Sequence, residues 1–507
     1  MKKTKLILLL MMGLTLFPCI QSCTDLNEIV YDKVPTDKFG NTPKEIAALV
    51  APIYNSLLNA RSWAFIHLAD ESADMLVVPT RKGGDWWDGG QHMYTKQHTW
   101  TNDNTPLITD AYSNIYSSIT TCNQVLKMVE GMEGMAGKDN TIAEIRAVRA
   151  FWYYIYIDYF GQGPLVTDFS VTTLPTSKSR LELYNFVISE LNAVKDLLRA
   201  DVSSSSYGKM TKGAAYTILA KMYLNAGVWT GTAQWQKCID ACNVVIGLPY
   251  VLEPDWKKTF QVKNEESKEI ILPAVFNGKV WGNTIAFQTL HYLDAYALGL
   301  NIGPWNGMCA DPNYVKEYDP ADKRLNWSFL TGPMLDPATG QVLITAHGRP
   351  LIHTMDVTMY EASTTWGWCN QEDGARCWKW EIPKGLSDCL ENDYAIFRLA
   401  DVYLMKAECL VRLNGSSAEA TTLVNDIRRR AFSPEKPIAN VTLEVVRKER
   451  RYEMAWEQIS RQDNIRFGTF LNAVPGWRGV SDPKHLLFPI PKNARDVNPG
   501  LTQNPGY

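Results

Sequence analysis

Two tryptophans stand between paired glycines in the sequence GGDWWDGG at residues 83–90. Glycine is unfavourable inside a helix, so this stretch predicts a loop that holds its indole rings at or near the surface. Trp86 and Trp87 offer flat apolar faces on which a pyranose ring can stack, and Asp88 can accept hydrogen bonds from sugar hydroxyls. Large exposed aromatic side chains mark interaction sites. The stretch therefore predicts carbohydrate binding; the alternative is a loop that buries both indoles in the core.

A second group of tryptophans falls in residues 248–392, where helical periodicity fades and Gly, Pro and Asn become frequent. Trp281 with Asn283, and Trp305 with Asn306, each place an indole beside a turn and an amide. An Asn side chain carries both a donor and an acceptor, which suits two neighbouring hydroxyls. Long loops of this kind often carry function. For any single tryptophan of the group, a place in the core is the alternative.

The sequence contains none of the common catalytic motifs: G-x-S-x-G, H-E-x-x-H, a P-loop and G-x-G-x-x-G are all absent. Its 54 acidic residues leave a glycosidase pair open, because such a pair needs only the correct separation in space. The histidines are dispersed, and the pairs His92/His98 and His347/His353 lack the spacing of helical metal ligands. We predict no catalytic residues, no metal ligands and no cofactor, while a structural calcium ion in a loop is left open.

Residues 394–431 indicate the scaffold that must position these loops. An apolar face recurs at helical spacing before the turn sequence NGSS at 414–417, and a second apolar stripe follows it. LADVYL at 399–404 is similar to LAKMYL at 219–224, with Leu, Ala, Tyr and Leu at the same four positions. The upstream sequence is also followed by a predicted turn and a second predicted helix. Such hairpins bury their faces by stacking on neighbours. The pattern predicts several tetratricopeptide-like helical hairpins.

The remaining elements are predicted from periodicity and composition. Residues 443–459 predict a helix of alternating acids and bases, with a solvated or salt-bridged face favoured over an anion site. The Pro-rich residues 487–507 are predicted to lie extended over the core. Further helices are predicted at 43–58, 112–132, 142–160 and 181–198, of which 142–160 is so aromatic that it should be largely buried.

The N-terminus has the plan of an export signal. Three lysines within the first five residues precede an apolar run at 6–17, and the sequence IQSC ends at Cys23. A small residue directly before a cysteine is typical of the lipidation box of bacterial lipoproteins, so we predict that Cys23 is acylated and anchors the chain to a membrane. The alternative is an ordinary signal peptide. Removal of residues 1–22 leaves a net charge of −6, which disfavours nucleic acid.

The cysteines after the signal divide into two groups. Cys238 and Cys242 lie one helical turn apart, which favours two core thiols over a bridge. Cys369, Cys377 and Cys389 cluster in the loop-rich region and are the better disulfide candidates, since an exported protein can form disulfides.

Several short motifs, in a fixed order, resemble one family over essentially the whole mature chain. They are AEIRAVRAFWY at 143–153, RLADVYLMKAE at 398–408, NDIRRRA at 425–431, ERRYE at 449–453, DNIRFG at 463–468, FPIP at 488–491 and QNPGY at 503–507. Together with the lipidation box, these motifs resemble the SusD/RagB family of outer-membrane nutrient-capture lipoproteins.

The resemblance implies an all-α fold of about four tetratricopeptide-like hairpins, wrapped by a long loop-rich region with little β structure. It also implies a lipid-anchored protein on the outer membrane, facing the cell exterior. There it would bind glycan above a SusC-like TonB-dependent transporter and pass the glycan inward. The expected organisation is a signal peptide at 1–22 and one domain at 23–507, with helical units within 43–247 and 393–470, an insertion at 248–392 and an extended segment at 471–507.

The leading hypothesis is therefore binding of a polysaccharide or oligosaccharide without catalysis. The alternatives are capture of peptides for a similar importer, a glycoside hydrolase, and a repeat scaffold for protein partners. The shared motifs of the family do not contain its sugar-contacting aromatic residues. The candidate contacts named above thus come from the loop pattern, with only loose support from the resemblance.

Overall fold

The computed structural model describes residues 42–168, 170, 172–278, 282–362 and 365–507. The predicted signal peptide, Cys23 and Trp281 lie outside the described residues. The fold is mostly helical with short strands, which confirms the predicted all-α, tetratricopeptide-like class. Among the described residues, no helix combines the length and the apolar character needed to cross a bilayer.

The N-terminal part of the chain is a series of helices joined by connections of very different length, the longest of which contains the 83–90 loop. They are α1 (Pro43–Ser56), α2 (Trp63–Ile66), α3 (Gln91–Gln97), α4 (Pro106–Glu130), α5 (Lys138–Tyr159), α6 (Arg180–Val194), α7 (Lys212–Leu224), α8 (Ala226–Thr230) and α9 (Trp235–Ile246). A π-helical turn at His67–Glu71 follows α2.

Local sequence explains where these helices begin. Thr42 and Glu45 form a capping box at the start of α1, where Pro43 has no N–H to leave unpaired. Ser179 and Glu182 do the same for α6. Helix α5 is buried along most of its length, as its aromatic composition predicts, and Trp152 is fully enclosed. These helices therefore form a rigid base for the loops between them.

The C-terminal helices pack against the N-terminal ones. They are α14 (Leu399–Asn414), α15 (Ala418–Ala431), α16 (Leu443–Glu453), α17 (Ser460–Arg466) and α18 (Lys492–Val497). Helix α14 packs against both α9 and α15, so the hairpin α7/α9 and its sequence echo α14/α15 are direct neighbours. One hydrophobic core extends from Leu49 on α1 to Leu501 near the C-terminus and joins both sets of helices.

Residues 248–392 contain short helices and many two-stranded pairs. The helices are α10 (Ile285–Thr289), α11 (Asp294–Leu298), α12 (Pro312–Val315) and α13 (Lys323–Ser328). The antiparallel strand pairs of the described chain are β1 (Leu76–Val77) with β5 (Cys309–Ala310), β2 (Gly163–Pro164) with β3 (Ser177–Lys178), β4 (Ile270–Ala274) with β12 (Tyr394–Arg398), β6 (Phe329–Leu330) with β11 (Arg376–Cys377), β7 (Gly332–Pro333) with β8 (Ile352–His353), and β9 (Tyr360–Ala362) with β10 (Thr365–Trp368).

Three local predictions are wrong. Residues 394–398 form strand β12 and not the start of the hairpin, because their backbone pairs with that of the buried strand β4. The C-terminal segment is not extended throughout, since α18 forms directly after Pro491. The cysteines Cys369, Cys377 and Cys389 are free thiols, and the first two are buried in the core.

The charged helix α16 buries one side, where its charges are paired, which confirms the salt-bridged interpretation for that side. Glu444 and Lys448 on its other side are exposed. The Glu453 carboxylate is fully buried and accepts hydrogen bonds from Arg398 at 2.7 Å, Arg430 at 2.6 Å and Arg324 at 2.9 Å. A buried carboxylate is tolerated only with such compensation. The cluster ties α13, β12, α15 and α16 together beneath the loop-rich region.

Candidate functional site

The loop at residues 83–90 adopts backbone conformations that side-chain-bearing residues rarely take. Trp86 has a φ of +66° and Asp88 a φ of +43°, both in the left-handed region. Each such residue stores strain of about 1–3 kcal/mol, and strained residues cluster at ligand-binding sites. Paired glycines flank the two residues, which lets the chain turn sharply on both sides. The loop is thus held in one particular shape, as a binding platform requires.

Trp86 is half buried and joins this loop to the insertion. Its ring stacks on that of Trp63 with centroids 5.5 Å apart, and its indole N–H donates to the Trp305 carbonyl oxygen at 2.6 Å. The ring also lies against Gly307, where a Cβ atom would lie 2.6 Å from the indole. Trp86 therefore positions Trp305 in addition to presenting part of its own surface.

Trp87 and Asp88 occupy the outer part of the same loop. Trp87 is half buried, and its ring lies against Gly90. The Asp88 carboxylate is about half exposed, with one oxygen 3.6 Å from Nε2 of His92. Hydrogen bonding from His92 holds the pKa of Asp88 below its usual value, so this carboxylate is charged and able to accept hydrogen bonds at neutral pH.

Among the candidate tryptophans that the structure describes, Trp305 carries the most exposed indole, with 42% of its surface accessible. Its ring packs at 5.5 Å from that of Phe287, which supports one side of the indole. The backbone N–H of Trp305 donates to the Phe287 carbonyl oxygen at 2.7 Å. A supported ring with one free face is what stacking against a flat apolar ligand requires.

Two tyrosines that the sequence analysis did not single out also reach the surface here. Tyr292 is 39% exposed and donates from its hydroxyl to Asp85 at 2.8 Å, which ties it to the 83–90 loop. Tyr296, four residues later on α11, is 50% exposed and donates to Asp336 at 3.2 Å. Partial burial and the Asp85 carboxylate raise the pKa of Tyr292 to about 12, so its hydroxyl stays protonated. We call Asp85, Trp86, Trp87, Tyr292, Tyr296 and Trp305 the aromatic surface.

The four-residue spacing of the two tyrosines in HYLDAY is the signal that points to them, since residues at i and i+4 share a helix face. The periodicity extends over one turn only, which is too short to recognise a helix from sequence.

Arg81 fixes the base of the aromatic surface from below. Its guanidinium is fully buried and donates to the carbonyl oxygens of Asn306 at 3.1 Å, Gly307 at 2.9 Å, Asn370 at 3.2 Å and Asp373 at 2.8 Å. One side chain thereby holds three loops at fixed distances. This charge also satisfies backbone carbonyls that would otherwise be buried without partners.

The two predicted asparagine contacts are enclosed. Asn306 has no exposed surface, and neither of its side-chain amide atoms makes a hydrogen bond. Asn283 is 1% exposed, and its side-chain oxygen accepts from the backbone N–H of Ile285 at 3.1 Å. Both residues stabilise turns beneath the surface, which differs from the predicted contact with hydroxyls. Trp281, the remaining predicted contact, is outside the described residues.

Other tryptophans of the insertion belong to the core, as the alternative interpretation predicts. Trp256 and Trp380 are 1% and 2% exposed. Trp327 is half buried, stacks on Trp256 at 5.6 Å, and has the ammonium groups of Lys257 and Lys323 over its ring. Trp256 and the two lysines therefore cover part of the Trp327 ring, which also lines a cleft with Trp256 and Trp378.

Behind the aromatic surface lies a polar group that sequence reasoning missed. His67, Glu71 and His92 are all buried, and one ligand atom from each lies within 4.8 Å of the others. Burial lowers the pKa of His67 to about 4. Burial also acts against charge on His92, but Glu71 and Asp88 outweigh it and raise the pKa of His92 to about 9. Only the spacing of His67 and Glu71 was visible in sequence, because His92 comes from a different helix.

A tetratricopeptide-like helical scaffold with supported, partly exposed aromatic rings on its loops is the architecture of a ligand-binding protein. Sequence profiles agree with this class. The profile described as the SusD family matches residues 385–507, and one described as starch-binding associating with outer membrane matches residues 46–224. The chain belongs to the SusD family.

Known relatives span most of the chain. It is 28% identical to the starch-binding protein SusD of Bacteroides thetaiotaomicron over 439 residues, and this alignment covers 78% of each chain. It is 23% identical to SusD-like protein P25 of Formosa agariphila, over 97% of this chain and 98% of that one. The solved surface glycan-binding protein A of Bacteroides thetaiotaomicron, in complex with laminarihexaose, superposes with a TM-score of 0.71 at 18% identity, covering 92% of this chain and all of that one.

Proposed function

We propose that this protein binds a polysaccharide or oligosaccharide on the cell surface, without catalysis, and delivers it to a SusC-like TonB-dependent transporter. The observation that carries the proposal is the aromatic surface, in which Trp305, Tyr292 and Tyr296 are partly exposed. Sugar rings present apolar CH faces to such rings, while Asp85 and Asp88 offer acceptors for hydroxyls. Of the named relatives, one is described as starch-binding and one was solved in complex with laminarihexaose, which are ligands of this class.

Rigidity is the second feature that supports binding. Arg81, Trp63 and the Trp86–Trp305 hydrogen bond hold the surface in place before any ligand arrives. A preformed site loses less conformational entropy on binding than a mobile loop would. We therefore infer that the rings keep the arrangement of the free protein when glycan binds, with Trp86 and Trp87 at the inner edge and Trp305 as the main stacking partner. Trp281 remains a proposed contact.

The proposed location is the outer membrane, with the mature chain at residues 23–507 forming one domain anchored through acylated Cys23. Association with the outer membrane follows the family description. An anchor of several acyl chains would hold the protein firmly, since each buried methylene contributes about 0.8 kcal/mol. The anchor, the outward orientation and the transporter partner are parts of the proposal.

Affinity electrophoresis of the soluble chain 24–507 in gels containing starch, laminarin or other polysaccharides tests the function. Retention by at least one glycan is expected, and Trp305→Ala is expected to weaken it at least tenfold, which corresponds to about 1.4 kcal/mol. Trp235→Ala is the matched control, because this half-buried indole lies on α9 in the helical part of the chain.

The aromatic surface is not the site if a glycan that retains the wild type retains three variants equally well: Trp305→Ala, Trp86→Ala and Trp87→Ala. Retention by no glycan, together with binding of peptides to the same surface, would replace carbohydrate with peptide as the ligand class.

A further inference from the structure

The buried group of His67, Glu71 and His92 has the composition of a metal site. Nδ1 of His67 lies 2.9 Å from Oε2 of Glu71, and Nδ1 of His92 lies 3.0 Å from the same oxygen. The three side chains are at most 1% exposed. Two imidazole nitrogens and one carboxylate oxygen therefore converge in a space from which water is largely excluded.

The hydrogen bonds within the group leave ring nitrogens without partners. Despite the short distance to Glu71, Nδ1 of His67 makes no hydrogen bond of acceptable geometry, and Nε2 of His67 is also unpaired. Nε2 of His92 lies 3.6 Å from the Asp88 carboxylate. The second Glu71 oxygen accepts from the backbone N–H of Val78 at 3.2 Å. Buried polar atoms are nearly always paired, and Nδ1 of His67 is unpaired although it lies 2.9 Å from a buried carboxylate oxygen. An ion between these two atoms would give both of them a partner.

We propose that His67, Glu71 and His92 bind a divalent transition-metal ion, with Zn²⁺ the best fit. Imidazole nitrogens with a single carboxylate suit zinc and its neighbours in the first transition series, whereas Ca²⁺ and Mg²⁺ prefer sets of oxygen ligands. This site is separate from the calcium ion that the sequence left open. The proposal does not depend on the identity of the glycan, or on glycan binding at all.

The distances require only a small adjustment. Ligand atoms at about 2.0–2.1 Å from a tetrahedral zinc ion are separated by about 3.4 Å. The present separations of 2.9 and 3.0 Å to the Glu71 oxygen lie near that value, while the farthest ligand atoms are within 4.8 Å. Closing the gap needs a movement of at most about 1.5 Å, which rotation of the imidazoles can provide.

Asp88 supports the site from outside. When Nδ1 of His92 binds a metal, its Nε2–H is free to donate, and Asp88 Oδ2 lies 3.6 Å from that nitrogen. A carboxylate behind a ligating histidine is the usual arrangement at zinc sites, where it fixes the ring and its tautomer. The Asp88 side chain is 47% exposed, so this residue also marks the route from solvent to the buried ligands.

The position of the group gives the ion a structural role. The His67 ring lies 4.0 Å from the ring of Trp63, on which Trp86 stacks, and Asp88 belongs to the 83–90 loop. A bound metal would join the π-helical turn at His67–Glu71 to α3, which carries His92. The ion would thereby hold in place, from the interior, the two elements that lie behind the aromatic surface.

Metal loading of the soluble chain 24–507 tests the proposal directly. After removal of metals with a chelator, the protein is titrated with Zn²⁺ or Co²⁺ alone, and bound metal is measured by mass spectrometry. We expect one equivalent, with a Co²⁺ visible spectrum of low-coordinate geometry and no thiolate band. X-ray absorption of the zinc-loaded wild type should show two imidazole ligands. Absence of stoichiometric binding by the folded wild type, or a site without imidazole, would overturn the proposal.

Variants locate the site. His67→Gln and His92→Gln should weaken binding at least 100-fold, and Asp88→Asn should weaken it about 10- to 100-fold, as loss of a supporting carboxylate does. His347→Gln removes an exposed histidine of the insertion and should bind like the wild type. If the buried histidine variants do not fold, the half-exposed Asp88→Asn variant and the wild-type absorption spectrum decide. Equal binding by wild type and Asp88→Asn, with no imidazole in the spectrum, would refute the site.

Discussion

Gly307→Ala should disturb the aromatic surface through the ring of Trp86. A Cβ atom at this position would lie 2.6 Å from Cζ2 of Trp86 and 2.8 Å from two further ring atoms. The backbone cannot retreat, because the Gly307 N–H donates to Gln288 at 3.0 Å and its carbonyl oxygen accepts from Arg81 at 2.9 Å. The Trp86 ring must therefore move by about 0.8 Å to regain ordinary contact.

That movement has two consequences. Overpacking of this kind costs about 1–3 kcal/mol, and loss of the 2.6 Å hydrogen bond from Trp86 to the Trp305 carbonyl adds about 0.5–1.5 kcal/mol. We expect the free energy of unfolding to fall by about 2–4 kcal/mol. Because Trp305 loses a support, retention in glycan-containing gels should fall by about tenfold in the same variant.

Gly303→Ala is the matched control. It lies four residues earlier in the same loop, and an added Cβ atom there meets nothing within 4 Å. Its unfolding free energy should stay within about 0.5 kcal/mol of the wild type, as for most surface substitutions. Chemical denaturation and affinity electrophoresis are run on both variants. If Gly307→Ala unfolds and is retained like Gly303→Ala, the contact between Gly307 and Trp86 does not support the surface.

Three further predictions concern the scaffold, its pH dependence and the anchor. Glu453→Gln should lower the free energy of unfolding by about 3–5 kcal/mol in chemical denaturation, because three buried arginines lose a shared carboxylate. Burial raises the pKa of Asp393 to about 6. The stability that the protonated carboxyl contributes is therefore complete below about pH 4 and is lost as the pH rises through 6. In unfolding experiments between pH 4 and 7, the free energy of unfolding of Asp393→Asn should fall by up to about 3 kcal/mol less than that of the wild type. Cys23→Ala should abolish incorporation of labelled palmitate in cells and release the protein from the membrane fraction.

Each of these has its own check. Glu444 is on the same helix but exposed, so Glu444→Gln should lower the free energy of unfolding by less than about 1 kcal/mol. If Glu453→Gln lowers it by no more than Glu444→Gln, the buried network does not stabilise the fold as described. Identical pH profiles for Asp393→Asn and the wild type would contradict the raised pKa. Continued palmitate labelling of Cys23→Ala would assign the anchor to another residue.

Much of the scaffold is predictable because helical periodicity repeats over many residues. The capping box at Thr42–Glu45, the buried aromatic helix α5 and the echo between α7/α9 and α14/α15 are all visible in sequence. The strand at residues 394–398 is not, since its partner Ile270–Ala274 lies more than a hundred residues away. Short apolar runs fit helix and strand equally well until their partner is known.

The candidate site is predictable only in part, for a physical reason. An unusual composition such as GGDWWDGG indicates a loop with exposed rings, but burial is decided by contacts that are distant in sequence. Arg81 donates a hydrogen bond to the Asn306 carbonyl oxygen although the two residues are 225 positions apart in sequence. Asn306 is fully buried beside this contact. His92 meets His67 and Glu71 through the packing of α3 on the π-helical turn, for which the sequence has no local signal.

The central claim is that the exposed rings of the aromatic surface bind carbohydrate. A glycan array probed with the wild-type chain 24–507 and with the double variant Tyr296→Ala/Trp305→Ala measures this most directly. Both residues are about half exposed, so their loss should leave the fold intact. The account predicts that the wild type binds a defined set of glycans and that the double variant, with an unchanged unfolding temperature, loses them. Equal binding of that set by both proteins would contradict it.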